Sequence, residues 1–68
     1  MMALELVITP RQGGWQVRDA DERLPVSHYR AIEDAREEAR QYLLNRGGGR
    51  IVVRETGNVI TTIDVTAG

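Results

Sequence analysis

The chain has 68 residues, which is room for one domain, and a chain this short buries only about 60% of the surface that its unfolded form exposes. Cysteine is absent and histidine occurs once, which excludes disulfides, thiolate metal sites and a zinc site built from imidazoles. Nine arginines and no lysine face ten carboxylates for a net charge of −1, and no segment forms the basic stripe expected of a nucleic-acid-binding protein.

No membrane segment or targeting signal is predicted. No apolar run approaches the roughly 20 residues that a membrane helix needs, and the start, Met1–Glu5, lacks the basic and long apolar regions of a signal peptide. We therefore expect a cytoplasmic protein without membrane contact. Since disulfides and metal ions are not available to stabilise so small a core, self-association is the expected aid.

The first predicted elements are two strands joined by a hairpin turn. Apolar and polar residues alternate along Leu4–Thr9 with the period of a half-buried strand. Pro10 is expected to end this strand because proline cannot donate to a strand ladder. Gly13 and Gly14 tolerate the positive φ of a turn, and the alternation resumes along Trp15–Arg18.

A charged loop, Asp19–Pro25, precedes the predicted helix, which runs from Ser27 to Arg46. Ser27 is a suitable N-cap because its hydroxyl can accept from an unpaired N–H of the first turn. Gly47 is suited to the left-handed residue that ends a helix. Five residues fall on one face at helical spacing and form the predicted buried stripe: Ile32, Ala35, Ala39, Tyr42 and Leu43.

Two further strands complete the predicted fold. The β-branched segment Arg50–Glu55 is the third strand, Thr56–Asn58 is a tight turn, and Val59–Thr66 is the fourth strand. The prediction is one α+β domain over residues 1–68, with frayed ends at 1–3 and 67–68. Its order is β-β-α-β-β, with one amphipathic helix packed on a four-stranded, mainly antiparallel sheet.

Four segments together resemble a known family of short bacterial proteins, domain of unknown function 2188. They are the turn and strand Pro10–Val17 with its Gly-Gly-Trp-x-Val motif, the helical run Ala31–Ala39 with alanine at every fourth position, Ile51–Val53, and Thr56–Val59. The resemblance spans about Val7 to Val65 and implies the same β-β-α-β-β arrangement. Arg30 and the pair Arg54-Glu55 depart from the family pattern. The resemblance implies no activity, cofactor or catalytic residue.

The sequence offers few candidates for catalysis or metal binding. His28 titrates near neutrality, but acyl transfer also needs a nucleophile and an orienting acid, and the adjacent Ser27 is assigned to the helix cap. The helix carries four carboxylates in two turns with arginines interleaved, which favours a solvated, ion-paired surface over a cation site: Glu33, Asp34, Glu37 and Glu38. We therefore predict no enzyme, and no catalytic, cofactor-binding or metal-binding residue.

The run Arg46–Arg50 has the glycine content of a phosphate loop. Phosphate loops precede a helix, where backbone N–H groups await an anion, whereas this run follows one, so a helix end with a flexible turn is favoured. The alternative is a small anion-binding edge formed by Arg46, Arg50 and Arg54. Trp15 is interpreted as a packing anchor between helix and sheet, with a base-stacking platform as the alternative.

Four apolar residues lack an obvious place in the predicted core. Val7, Val52 and Ile60 are expected to face away from the helix, and Leu44 falls on its polar side; several apolar residues on one uncovered face indicate an interface. We predict a non-catalytic protein-interaction module that forms a homodimer through its helix-free sheet face or an edge strand. The alternative is a small nucleic-acid-binding or regulatory protein that uses the arginines around the Gly47–Gly49 turn.

Overall fold

The computed structural model describes residues 4–20, 26–55 and 59–66. The elements are β1 (Leu4–Arg11), β2 (Gly14–Asp19), β3 (Ser27–Tyr29), α1 (Ile32–Leu44), β4 (Gly48–Arg54) and β5 (Ile60–Thr66). The predicted turn at Thr56–Asn58, the predicted frayed ends and most of the predicted loop before β3 lie outside the described residues.

The strands form one five-stranded mixed sheet in the order β3-β2-β1-β4-β5. Neighbouring strands are antiparallel except β1 and β4, which are parallel. The α+β class and the antiparallel pairs β1–β2 and β4–β5 are confirmed, whereas the predicted count of four strands was wrong because β3 is a fifth strand. Because β3 runs antiparallel to β2, it is parallel to β1 and β4, so α1 is the crossover between two parallel strands, β3 and β4.

The added strand, β3, occupies the segment in which the helix was predicted to begin. Ser27 and His28 pair with β2, and α1 starts only at Ile32. The N-cap is Ala31, with extended backbone (φ −110°, ψ 141°) and no side-chain hydrogen bond. Pairing with β2 supplies partners for backbone groups that a helix would otherwise satisfy, and a three-residue strand is too short to show a period of two.

The first strand continues past its predicted end at Pro10. Arg11 and Gly14 close a two-residue loop, and Gly13 has φ +75° as the turn requires. In such a hairpin the closing pair is hydrogen-bonded and the next pair is not, so the nitrogen of Pro10 faces away from β2. The β1–β4 pairing stops at Ile8, so the missing N–H of Pro10 interrupts no ladder.

The core lies between α1 and one face of the sheet. Its buried members are Leu6, Ile8, Val17, Ala35, Ala39, Leu43, Ile51, Val53 and Val65, with Trp15, Tyr29, Ile32, Tyr42 and Ile63 half-buried against them. The predicted apolar stripe of the helix therefore packs as expected, and Trp15 packs against this core.

Two glycines follow α1 and have different roles: Gly47 ends the helix, and Gly49 allows the helix and the sheet to meet closely. Gly47 has φ +91°, the left-handed conformation that the sequence predicts for the helix end. At Gly49 an added Cβ would collide with the carbonyl oxygen of Leu4 and lie 2.8 Å from Cδ2 of Leu43. Within the described ranges, no helix combines the length and apolar character needed to span a bilayer.

Candidate functional site: the helix-free face and the outer edge of β5

One face of the sheet carries no helix, and it is called here the helix-free face. Strand alternation assigns its residues, because their neighbours in each strand pack against α1. It comprises Glu5, Val7, Thr9 and Arg11 of β1, Gln16 and Arg18 of β2, His28 of β3, Arg50, Val52 and Arg54 of β4, and Ile60, Thr62, Asp64 and Thr66 of β5.

The apolar part of the helix-free face is small. Val7 and Val52 lie side by side on β1 and β4, as their predicted orientation away from the helix requires. Val7 is nevertheless only 7% exposed, because neighbouring side chains of the same chain cover it, and Val52 is half-buried. Ile60 is 58% exposed. The centre of this face is therefore not a bare apolar patch.

Leu44 differs from its predicted position on the polar side of the helix. It is half-buried and packs against the core cluster. It follows the fully buried Leu43 and is the last residue of α1. At 100° per residue Leu44 lies well outside the stripe formed by Ala35, Ala39 and Leu43, so its contact with the core reflects its place at the end of α1 and not the helical spacing.

The helix-free face carries an excess of positive charge. Its four arginines, Arg11, Arg18, Arg50 and Arg54, stand against two carboxylates, Glu5 and Asp64. The other described residues, on α1 and around it, hold four arginines and six carboxylates. The near-neutral net charge is therefore the sum of a basic sheet face and an acidic helix side. Counting charges along the chain does not reveal this difference.

Two of these arginines are held by neighbours on the same face. Nε of Arg11 donates to Oε1 of Gln16 at 2.6 Å, and Gln16 is buried. Nε of Arg50 donates to Oδ1 of Asp64 across the β4–β5 ladder at 3.3 Å, with both side chains more than half exposed. Salt bridges this exposed contribute about 0–1 kcal/mol, so the Arg50–Asp64 pair orients side chains more than it stabilises the fold.

The three arginines predicted as one anion-binding edge do not lie together. Arg50 and Arg54 both project from β4 on the helix-free face. Arg46 follows the helix, and its guanidinium carbon lies 3.7 Å from the centroid of the Tyr42 ring, a cation–π contact on the helix side of the sheet. The sheet therefore separates Arg46 from the other two.

The outer edge of β5 offers unpaired backbone. Glu55 N donates to Val59 O at 2.8 Å, so this pair is hydrogen-bonded and every second pair of the β4–β5 ladder is as well. Residues 61, 63 and 65 therefore direct their N–H and C=O groups to β4. Residues 60, 62, 64 and 66 direct theirs outward, where the described part of the chain provides no neighbouring strand.

This edge also has little of the usual protection against pairing. Natural edge strands avoid pairing with other chains through short length, charged side chains on the edge (lysine above all), proline, bulges or inward-pointing charges. β5 has seven residues, six of them β-branched, with no proline and Asp64 as its one charge. Val59 and Ile60, at the start of the strand, are 50% and 58% exposed. The opposite edge of the sheet, β3, is only three residues long.

A cleft of about 290 Å³ lies between α1 and the β2–β3 side of the sheet. Its lining includes Leu6, Val17, Asp19, Tyr29, Glu38 and Tyr42. His28 points to the other face of the sheet, opposite Gln16, so the structure does not bring the histidine to the carboxylates of the cleft. The absence of catalysis stays a prediction.

The helical carboxylates lie exposed, with arginines among them. Glu37 accepts hydrogen bonds from Gln41 and Arg40, which hold the pKa of its carboxyl below the ordinary value, Gln41 first and Arg40 second. Across residues 4–20, 26–55 and 59–66, no three histidine, aspartate or glutamate side chains gather as metal ligands.

The chain was compared with known proteins. A family model described as "Uncharacterized protein conserved in bacteria (DUF2188)" matches residues 6–63. Searches of the curated proteins and of the solved structures return no significant match. The matched range includes the Gly-Gly-Trp turn, all of α1 and β4, and the first half of β5. The chain belongs to this family of uncharacterised bacterial proteins, domain of unknown function 2188.

Proposed function

We propose that the protein is a non-catalytic interaction module that forms a homodimer through the outer edge of β5. The observation that carries the proposal is a seven-residue, β-branched edge strand whose outward backbone groups have no described partner and whose sequence has no proline and a single charge, Asp64. Adding a strand to such an edge is a common mode of protein recognition, in which main-chain hydrogen bonds supply the affinity.

The edge is favoured over the helix-free face for two reasons. The centre of that face is covered within one chain, since Val7 is 7% exposed. Its excess of arginines would also place like charges against each other if two copies met face to face, which costs affinity. Two β5 edges, by contrast, are nearly uncharged and each presents the same four outward residues.

Light scattering coupled to size-exclusion chromatography tests the proposal. We expect a dimer at tens of micromolar; a Kd of 1 μM corresponds to about −8.2 kcal/mol, within reach of a small interface. A clean monomer at that concentration refutes the proposal.

A matched pair of variants tests the edge itself. Thr62→Pro removes an outward N–H and leaves the β4 ladder intact, because proline is tolerated where a strand nitrogen faces solvent. It should be monomeric with an unchanged far-UV circular dichroism spectrum. Thr62→Val keeps the N–H and should remain dimeric. A folded Thr62→Pro dimer would show that the interface lies elsewhere.

The charge difference between the two sides of the molecule supports a second candidate function, binding of a nucleic acid on the helix-free face. Four arginines on one face of a sheet can each meet a phosphate, and such binding weakens steeply with salt. Arg18→Gln with Arg54→Gln should lower the affinity for single-stranded DNA or RNA and flatten its salt dependence, whereas Arg40→Gln on the helix should change neither. No binding at about 20 mM salt removes this candidate.

A further inference from the structure

We infer that two β5 strands pair antiparallel about a twofold axis at Ile63, so that each Ile63 lies opposite its own copy. This register rests on the proposed self-association and specifies it. The result is one continuous sheet made from both copies, with the two α1 helices on the same side, because the axis is perpendicular to the sheet.

The register follows from which backbone groups point outward. Only residues 60, 62, 64 and 66 present N–H and C=O groups to the outer edge. An antiparallel ladder must therefore join an outward residue of one copy to an outward residue of the other. With the axis at Ile63, Ile60 pairs with Thr66 and Thr62 pairs with Asp64, in both directions. All four outward residues are then used, and two bonds per pair give about eight backbone hydrogen bonds.

The neighbouring registers are worse for identifiable reasons. Among the described residues, an axis at Thr62 leaves Thr66 without a partner, and one pair of backbone bonds is lost. An axis at Asp64 leaves Ile60 without a described partner and puts each Asp64 directly opposite its copy, which places like charges about 5 Å apart. Over the described part of β5, the axis at Ile63 is therefore the best antiparallel match of the edge to itself.

The side chains agree with the axis at Ile63. Residues that are directly opposite but not hydrogen-bonded have the closest side chains in an antiparallel ladder, and here they are two isoleucines that are already half-buried on the helix side. Thr62 lies opposite Asp64, so its hydroxyl can donate to the carboxylate. Asp64 also keeps the Arg50 side chain of its own copy as a neighbour.

A closed dimer is also favoured over an open chain of copies. Head-to-tail growth would have to pair β5 of one copy with β3 of the next. β3 has only three residues, so this contact would use less than half of β5. A twofold contact uses the same surface on both copies and closes.

Disulfide trapping with single-cysteine variants tests the register, since the natural chain contains no cysteine. Three variants each report one axis: Ile63→Cys, Thr62→Cys and Asp64→Cys. Directly opposite residues have Cα atoms about 4.5–5.5 Å apart, which is within the range of a disulfide. The two copies of a residue next to the axis are not directly opposite each other and lie too far apart. We expect Ile63→Cys to cross-link to itself under mild oxidation at least tenfold faster than the other two. Fastest self-cross-linking of Thr62→Cys or Asp64→Cys overturns the register.

A second measurement uses exposed positions only, so that it does not depend on replacing the half-buried Ile63. A mixture of Thr62→Cys and Asp64→Cys should form the mixed disulfide in preference to either homodimer, and the two variants are distinguished by mass. Absence of that preference also overturns the register. If the cysteine-free chain is a dimer by light scattering and no cross-link follows this pattern, the register fails while the proposed function stands. If it is a monomer, both fail.

Discussion

Replacing Gly49 by alanine should strongly destabilise the fold, because Gly49 lies where β1, β4 and α1 meet. The new Cβ would collide with the carbonyl oxygen of Leu4, its neighbour in the β1–β4 register, and lie 2.8 Å from Cδ2 of the buried Leu43. The Cδ2 methyl belongs to Leu43, which is fully buried and cannot shift toward solvent. The oxygen belongs to the backbone of a central strand. Relief therefore requires β1 and β4 to move apart.

The expected cost is large relative to the total stability. Overpacking of this kind typically costs about 1–3 kcal/mol, and a collision with backbone belongs at the upper end. A 68-residue domain has a free energy of unfolding of about 3–10 kcal/mol. A loss of about 3 kcal/mol would lower the Tm by roughly 12–24 °C for a domain of this size.

Gly47→Ala is the matched control. Gly47 has open space around its Cα but φ +91°, so alanine there costs only the left-handed backbone, about 1–2 kcal/mol. Chemical denaturation followed by Trp15 fluorescence, at one fixed protein concentration, measures both variants. If the two variants lose equal free energy of unfolding, or if Gly49→Ala loses less, the close approach of β1, β4 and α1 is refuted.

Three further outcomes follow from the described contacts. Gln41→Ala should raise the pKa of Glu37 toward its ordinary value in an NMR titration. Because that pKa is lower in the folded chain, the stability it adds is present above the unfolded-state pKa and is lost as the pH falls through the folded value. Leu43→Ala should cost about 2–5 kcal/mol in the same denaturation assay, and Leu44→Ala clearly less, since Leu44 is only half-buried. Ser27→Ala should change stability by less than about 0.5 kcal/mol if Ser27 is an exposed strand residue, whereas loss of a helix cap would cost about 1 kcal/mol.

The parts of the fold predicted correctly from the sequence are those with a local signal. Gly13 at a turn and Gly47 at a helix end both have the positive φ that the sequence suggests. The four-residue spacing of Ala35, Ala39 and Leu43, close to the helical period of 3.6, identified the buried side of the helix. Each of these signals depends on residues within a few positions of one another, so it can be recognised in a single sequence.

The missed parts depend on partners that are distant in the chain. β3 forms because residues 27–29 pair with β2, whereas the local sequence at Ser27 is typical of a helix cap. The parallel pairing of β1 with β4 joins segments separated by the whole helix. The basic helix-free face was missed because its arginines alternate with core residues on different strands, so no segment of sequence contains an excess.

Edge pairing and nucleic-acid binding, the two candidate functions, are compatible with each other. A face-to-face dimer would cover the arginines of the helix-free face, whereas pairing through β5 leaves them exposed. Because the twofold axis inferred at Ile63 is perpendicular to the sheet, it would also place the basic faces of both copies on the same side, doubling the number of arginines available to one extended anion. Binding to a long single strand should then be weaker for the Thr62→Pro monomer than for the Thr62→Val dimer, although neither substitution removes an arginine. Equal affinities would mean that the two surfaces act independently.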